Sequence, residues 1–455
     1  MSHRKLLALA LTTAGALAMM AINTPASVAE DTGAAESTQT SSADQYENNV
    51  VTIVVQLTDD APALADMKER VNAAVAAAVP GASATGLREY THALRGFAIK
   101  APASSLAVIR ATPGVKAAFK DRYSATIYDV YSPDSFGNKD KDHDPSLSTA
   151  MDMTAAAQAA QAGSGQVIEI IDTGFDTSHS AFAGSMEGAR LSQADVMSLA
   201  ATLGDGRGGG WVSPKIPFAY DYADGDADVT YPAPGEFPDQ TDDARYTHGT
   251  HVAALAASNG SEFRGAAPDA QLIMAKVLGD DDQEINDSVL LAALDDAAVL
   301  TPDVLVVSVG DDSGQNGDAL AVYADVYAAL TTKGVTINAP AGDYTSSAWG
   351  NWNSENLPFA TDADFGAIIW PALDSNALAT ASLDEVEKHD GEPLPGATPS
   401  LFSSWGVTPD LRLKPEIAAP GGAVMSASPG NYYGRMSGTA EASAQVAGIA
   451  TLVRQ

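Results

Sequence analysis

Residues 166–171, 272–277, 304–309 and 334–339 are almost unbroken apolar runs, and helical patterns at 248–258, 288–300 and 318–333 alternate with them. A strand that is apolar on both faces must be covered on both faces. The alternation therefore argues for a parallel sheet held between two layers of helices, an α/β architecture. Glu169 breaks the first run, and a buried carboxylate needs a partner or must keep its proton. Open α/β sheets collect their chemistry at the C-terminal ends of the strands. The segments that follow the runs, Asp172-Thr173-Gly174, Ser308-Val309-Gly310 and Ala339-Pro340-Ala341-Gly342-Asp343, are thus the first candidates.

A chain of 455 residues with 45% hydrophobic residues has room for two or three domains and a sizeable core. Residues 1–29 read as a secretory signal, with His3-Arg4-Lys5 as the basic start, an apolar run at 6–21 and Ser27-Val28-Ala29 as the cleavage site. The formal charge of −33 disfavours nucleic acid and anionic lipid as partners, and the absence of cysteine excludes disulfides and thiol catalysis. A secreted or cell-surface protein of a Gram-positive bacterium is the expectation. Residues 30–49 are a polar leader without periodicity. Residues 50–123 read strand, helix, strand, strand, helix, strand, which is the ferredoxin-like α+β order. A polar connector at 124–150 carries Lys139-Asp140-Lys141-Asp142-His143-Asp144, and the large domain, 151–455, is expected to open with an alanine-rich helix at 151–162.

His248-Gly249-Thr250-His251-Val252-Ala253 opens a helical pattern. His248 and His251 are three apart, but the His-Glu-x-x-His spacing is absent and no third ligand is near, which argues against a metal. His251 suits a packed helix histidine. At the helix start His248 suits a general base, with Asp172 holding its other ring nitrogen and stabilising the imidazolium. Further on, Gly438-Thr439 turns into a helix of very small residues, Ala440, Ala442, Ser443, Ala444, Ala447 and Gly448. The side chain at such a turn lies beside free N–H groups and the positive end of the helix dipole, where a hydrolase would place its nucleophile. Ser308-Val309-Gly310 could pair, as an exposed edge, with an extended peptide through main-chain hydrogen bonds. Ala341-Gly342-Asp343 stands where an oxyanion-stabilising donor would sit. Ordinary strand-to-loop turns are the competing reading of both. Asp221, Asp224, Asp226 and Asp228 have the alternation that suits a structural calcium ion, with a solvated acidic loop as the alternative.

Taken in order, Asp, His, Ser-Val-Gly, Ala-Gly-Asp and Gly-Thr-Ala resemble the subtilisin family of serine proteases from about residue 50 to the end. Residues 217–224, Ser403-Ser404-Trp405-Gly406 and 413–422 resemble in particular the cell-envelope subtilases of Gram-positive bacteria, the lactocepins and the streptococcal complement-cleaving peptidases. The resemblance implies an α/β subtilisin-like domain preceded by a small ferredoxin-like inhibitory propeptide. His92-Ala93-Leu94-Arg95-Gly96 and Pro113-Gly114-Val115-Lys116 are similar to propeptide segments. It further implies a triad containing Asp172 and His248, a substrate-binding cleft at Ser308, Val309, Gly310, Ala341 and Gly342, an oxyanion position at Asp343, and no required cofactor. Peptides or proteins and the chain's own propeptide are the implied partners.

This sequence departs from the family at the chemistry. Ala440 stands at the nucleophile position and Asp343 replaces an amide donor with an acceptor. Glu441, Ala444, Gln445 and Ala254 also differ from the family pattern, the usual inserted protease-associated domain is reduced to a short loop at 384–399, and the peptidase domain stops in the helix after Ala440. The expectation is a secreted serine endopeptidase by ancestry that is inactive in this chain, with its propeptide still attached. A peptide-binding pseudoprotease that uses the retained cleft is the second reading. An active protease whose residues 343 and 440 are not the natural ones is the third.

Overall fold

The computed structural model describes residues 49–124, 150–232, 244–282, 284–310, 317–344, 368–384, 388–389, 392–393, 397–408 and 411–455. The expected export signal, the leader and most of the connector lie outside the described residues. Strand β1 (Val50–Leu57), helix α1 (Leu64–Ala78), β2 (Thr85–Tyr90), β3 (Gly96–Pro102), α2 (Leu106–Arg110) and β4 (Val115–Lys120) follow the βαββαβ order read from the sequence. They build an antiparallel sheet in the order β2-β3-β1-β4. Met67, Val71 and Val75, four residues apart, turn one buried face of α1 onto it.

Strands β5 (Val167–Asp172), β6 (Phe218–Asp221), β7 (Gln271–Lys276), β8 (Val304–Val307), β9 (Thr336–Pro340), β10 (Ala377–Asp384) and β11 (Ile417–Gly422) form a second sheet in the order β11-β10-β9-β8-β5-β7-β6. Every neighbouring pair is parallel. Helices α3 (Gln193–Ala200), α4 (Ala244–Ala257), α5 (Asp287–Leu300), α6 (Gly317–Thr332) and α7 (Thr439–Arg454) accompany it. The period of two along the strands sorts the core. Val167, Ile171, Leu305 and Val307 pack with α5 and α6, whereas Ile168, Ile170, Val304 and Val306 pack with α4 and α7. Glu169 points toward the α5 side with no exposure and no hydrogen-bond partner among the described residues, and burial pushes its carboxyl well above the usual range, into the neutral form. A hairpin, β12 (Val424–Ser428) and β13 (Tyr432–Met436), delivers the chain to α7.

The α+β element and the large domain belong to one compact unit, Tyr46–Gln455. Val54, Tyr90, Leu94, Ala98 and Phe119 share an apolar cluster with α5 and α6. Polar contacts ring that cluster. The Asp295 carboxylate on α5 accepts four backbone N–H groups, from Thr91, His92, Ala93 and Leu94, at 2.7–2.9 Å. Asp121 accepts the Ser288 N–H at 2.9 Å in the first turn of α5, and Arg122 pairs with Asp287 at 2.9 Å.

The expected helix at 151–162 does not form. Only Ala150–Met153 is helical, Ala155 takes a left-handed conformation with φ of 58°, and a single 3₁₀ turn follows at Ala156–Gln158. Alanine propensity without a stripe of buried residues is too weak to sustain a short helix. The loop at 384–399 carries a small antiparallel ladder, Lys388–His389 with Glu392–Pro393.

Helix α7 approaches α4 at Gly448, where an added Cβ would lie 2.7 Å from the Ala256 carbonyl oxygen and 2.6 Å from the Ala266 Cβ. Backbone cannot yield as a flexible side chain can, so Gly448→Val is expected to destabilise the fold by about 1–3 kcal/mol. Denaturant unfolding measures this, and a variant as stable as the parent would contradict the packing.

Candidate active site

Strand β5 ends at Asp172, and α4 presents His248 to it. His248 Nδ1 lies 2.7 Å from Asp172 Oδ1, and both side chains are buried. The approach depends on Gly249, where a Cβ would sit 2.2 Å from the Gly174 carbonyl oxygen and 3.1 Å from Asp172 Cβ. Asp172 Oδ1 also accepts the Thr173 N–H at 2.7 Å, which fixes the carboxylate. The two residues that sequence reasoning paired are therefore brought together.

The start of α7 closes against the ends of β9 and β11. Gly342 N–H donates to Thr439 Oγ1 at 3.0 Å, the Thr439 N–H donates to Asp343 Oδ1 at 2.8 Å, and Gly438 N–H donates to the Gly421 carbonyl at 2.8 Å. Asp343 thus satisfies one of the orphan donors of the helix N-terminus from a different element. Ala440 is the second residue of α7 and is fully buried. Three nearby hydroxyls are already engaged. Ser437 Oγ accepts the Ala423 N–H at 2.8 Å, Thr439 Oγ1 accepts the Gly342 N–H, and Ser443 Oγ accepts from Asn338 Nδ2 at 3.0 Å.

Asp343 Oδ2 is buried and has no hydrogen-bond partner among the described residues. Burial raises its carboxyl to about 7, aided by the charge of Glu441 and opposed by the Thr439 hydrogen bonds and by His248. Asp343 is therefore neutral below about pH 7, with Oδ1 accepting and the proton on Oδ2. In that state it is an isostere of asparagine and a donor.

Sequence reasoning missed the pair beneath this turn. His251 Nε2 lies 3.2 Å from the carbonyl oxygens of both Val424 and Gly434, so it must carry a proton. His251 Nδ1 then faces Glu441 Oε1 at 3.4 Å, an ion-pair separation, with both residues fully buried. Burial pushes the Glu441 carboxyl up, but His251 and the nearby His248 overcome this and hold it below the ordinary range. Nothing in either sequence segment marks the contact, because the two residues are 190 positions apart.

The strand-end segments lie where expected, with one correction. Ser308, Val309 and Gly310 are buried, not an exposed edge, because Trp370 and Ile369 lie across Gly310. Ala341 and Gly342 continue β9 at its C-terminal end, and Ala341 N–H donates to the Thr380 carbonyl at 2.9 Å.

A family model for the subtilases matches residues 163–455. The chain belongs to the subtilase family. It is 28% identical to the PI-type proteinase of Lactococcus lactis subsp. cremoris over 275 residues, 57% of this chain and 13% of that protein. It is 26% identical to the PII-type proteinase of Lacticaseibacillus paracasei over 298 residues, 59% of this chain and 14% of that protein. Thermitase of Thermoactinomyces vulgaris is 28% identical over 320 residues, 68% of this chain and 84% of thermitase. This subtilase chain therefore spans about an eighth of the length of the long proteinases. Among the described residues no helix is long and apolar enough to cross a membrane.

The four carboxylates expected to gather around calcium do not converge. Asp221 and Asp224 meet Asp280, and the buried Lys276 ammonium stands among them, in contact with Asp221, 2.6 Å from Asp280 and 3.5 Å from Asp224. Asp226 and Asp228 turn to their own loop, where they accept the N–H groups of Asp228 and Thr230. Burial raises Asp221 to about 6 against the Lys276 hydrogen bond. Burial would lower Lys276, but its hydrogen bonds to Asp221 and Asp280 hold it above its ordinary value. With the ammonium supplying the compensating charge, the melting temperature is expected to be the same in calcium and in chelator. A rise of several degrees with calcium would contradict this.

Asp343 generates a pH prediction whose sign follows from linkage. Its carboxyl binds a proton more tightly when folded, so between pH 3.8 and about 7 the native state holds the proton that the unfolded chain releases. Stability from this group is full below pH 3.8 and is lost as pH rises to about 7, by up to ~4 kcal/mol. Asp343→Asn, which mimics the neutral acid, should raise the melting temperature at pH 8.5 and leave it unchanged near pH 4. An equal gain at both pH values would rule out a neutral Asp343.

Proposed function

We propose that this subtilase-family chain is catalytically silent and holds extended peptides in the cleft of its ancestral serine endopeptidase, with its own α+β element still docked as a propeptide. The single observation that carries the reading is Ala440. The Asp172–His248 pair is assembled, yet the side chain at the helix turn is a methyl group, and a methyl cannot attack a carbonyl. The rival hydroxyls of Ser437, Thr439 and Ser443 accept hydrogen bonds that hold the turn together. The PI- and PII-type relatives are proteinases by name, and descent from such an enzyme fits an assembled Asp172–His248 pair in a chain with alanine at 440. The four N–H groups gathered on Asp295 support an α+β element that serves as a clamp on the large domain.

In subtilisin, a member of the same family, loss of the nucleophile lowers turnover by about 2 × 10⁶. The unmodified chain is therefore expected to cleave neither casein nor fluorogenic peptides. Ala440→Ser supplies the nucleophile but leaves Asp343 to titrate at about 7. Ala440→Ser with Asp343→Asn should exceed the single variant by about 10²–10³ at pH 8.5, the worth of one oxyanion donor, and by little at pH 5.5. The ratio of the two variants cancels the titration of His248. Robust hydrolysis by the unmodified chain would overturn the reading.

A further inference from the structure

The seam between the α+β element and the large domain is not closed along its whole length. A cleft of about 450 Å³ remains where the ends of β1 and β2 meet α6, within the ~300–1,000 Å³ of small-molecule sites. Gln56, Leu64, Arg95 and Lys116 line it from the α+β element, and Asp325 lines it from α6. Gln56 is 5% exposed. Its Nε2 donates to Asp325 Oδ2 at 2.7 Å, which fixes the amide so that Oε1 is the acceptor end. Oε1 is buried and has no hydrogen-bond partner among the described residues. Such an acceptor costs free energy until an N–H or O–H reaches it. One water takes roughly 30 Å³, so a single bridging water would leave most of the cleft unfilled.

The charged residues of the wall answer one another. Lys116 pairs with Asp325. Arg95 directs both terminal nitrogens to the carbonyl oxygens of Thr58, Asp59, Ala61 and Pro62, at 2.7–3.0 Å. Asp59 is the second acid, so two cations and two anions cancel, and the field in the cleft selects neither a cation nor an anion. Leu57, Leu64 and Leu94 add an apolar side.

We infer that this cleft binds a small uncharged polyhydroxy molecule, a hexose ring, and that the bound sugar holds the α+β element against the large domain. Hydroxyls supply what the wall lacks, a donor for Gln56 Oε1 and further donors for the Asp59 and Asp325 carboxylates, with no charge to desolvate. The carbon face of the ring can rest on the leucines. Because the wall is drawn from both parts of the chain, the ligand binds only the docked arrangement and stabilises it by mass action. The inference rests on the docking of the α+β element and not on the residue at position 440.

The test uses the full chain with glucose and galactose, read by saturation-transfer NMR titration. Melting temperature does not serve, because sugars stabilise proteins generally by exclusion from their surfaces. At least one of the two hexoses should bind the parent saturably. Gln56→Met, which keeps the shape of the side chain and removes Oε1, should weaken that binding about 10-fold. Leu64→Trp, which fills the cleft from its other side, should abolish it. Hydrogen exchange read by mass spectrometry should slow in residues 50–57 and 91–95 when the sugar is added to the parent, and should not slow in Leu64→Trp. No saturable binding to the parent would mean that water alone fills the cleft, and would overturn the inference. Equal affinity in the parent and both variants, or equal slowing in the parent and Leu64→Trp, would overturn it too. So would tighter binding of ethylammonium or acetate than of either hexose. Circular dichroism confirms folding, and Leu64→Trp carries the test if Gln56→Met does not fold.

Discussion

The hydrogen bond from the Thr439 N–H to Asp343 Oδ1 ties the end of β9 to the start of α7, and the geometry of the site depends on it. Around it five titratable groups meet in one buried region: Asp172, Asp343 and Glu441 against His248 and His251. Such a group of charges is tolerable only if protons and partners are shared out. Asp172 takes His248 at 2.7 Å, Glu441 faces His251 at 3.4 Å, and Asp343 keeps its own proton up to about pH 7. The carboxyls at 343 and 441 are thus coupled, since Glu441 is one of the charges that raise Asp343. Substitution of either residue alone disturbs both.

The close packing of the subtilase scaffold is present in this chain, with alanine at position 440. Gly249, Gly421 and Gly448 permit close approaches, among them the 2.4 Å that would separate a Cβ on Gly421 from the Gly438 carbonyl oxygen. These close approaches are packing features, whereas under the proposed function position 440 lacks the hydroxyl that catalysis needs. The docked α+β element fits the same division, because its contacts with α5 and α6 bury an apolar cluster that neither part could leave in water.

Much of this was legible in the sequence, and for physical reasons. Runs apolar on both faces gave β5, β7, β8 and β9 to within a residue or two, and His248 at the start of a helical pattern marked the partner of Asp172. Strands β6, β10 and β11 were not foreseen, because Phe218–Asp221 is short, Ala377–Asp384 reads as weakly polar and Ile417–Gly422 contains proline and glycine. The alanine-rich stretch at 151–162 misled because propensity was taken without a buried stripe. The Glu441–His251 contact and the ammonium of Lys276 amid aspartates are juxtapositions across the fold. No local pattern encodes them. The protonation of Asp343 was open in the sequence and was decided by its burial beside Glu441.

Under the proposed function this subtilase lacks the means to cut a peptide bond, including the bond that would free the α+β element as a propeptide. Intact mass and N-terminal sequencing of the full chain, expressed in a protease-deficient host, test this most directly. The account predicts that Val50–Lys120 remains covalently joined to the large domain. A clean new N-terminus between Tyr123 and Ala150 in that host would show self-processing and contradict it.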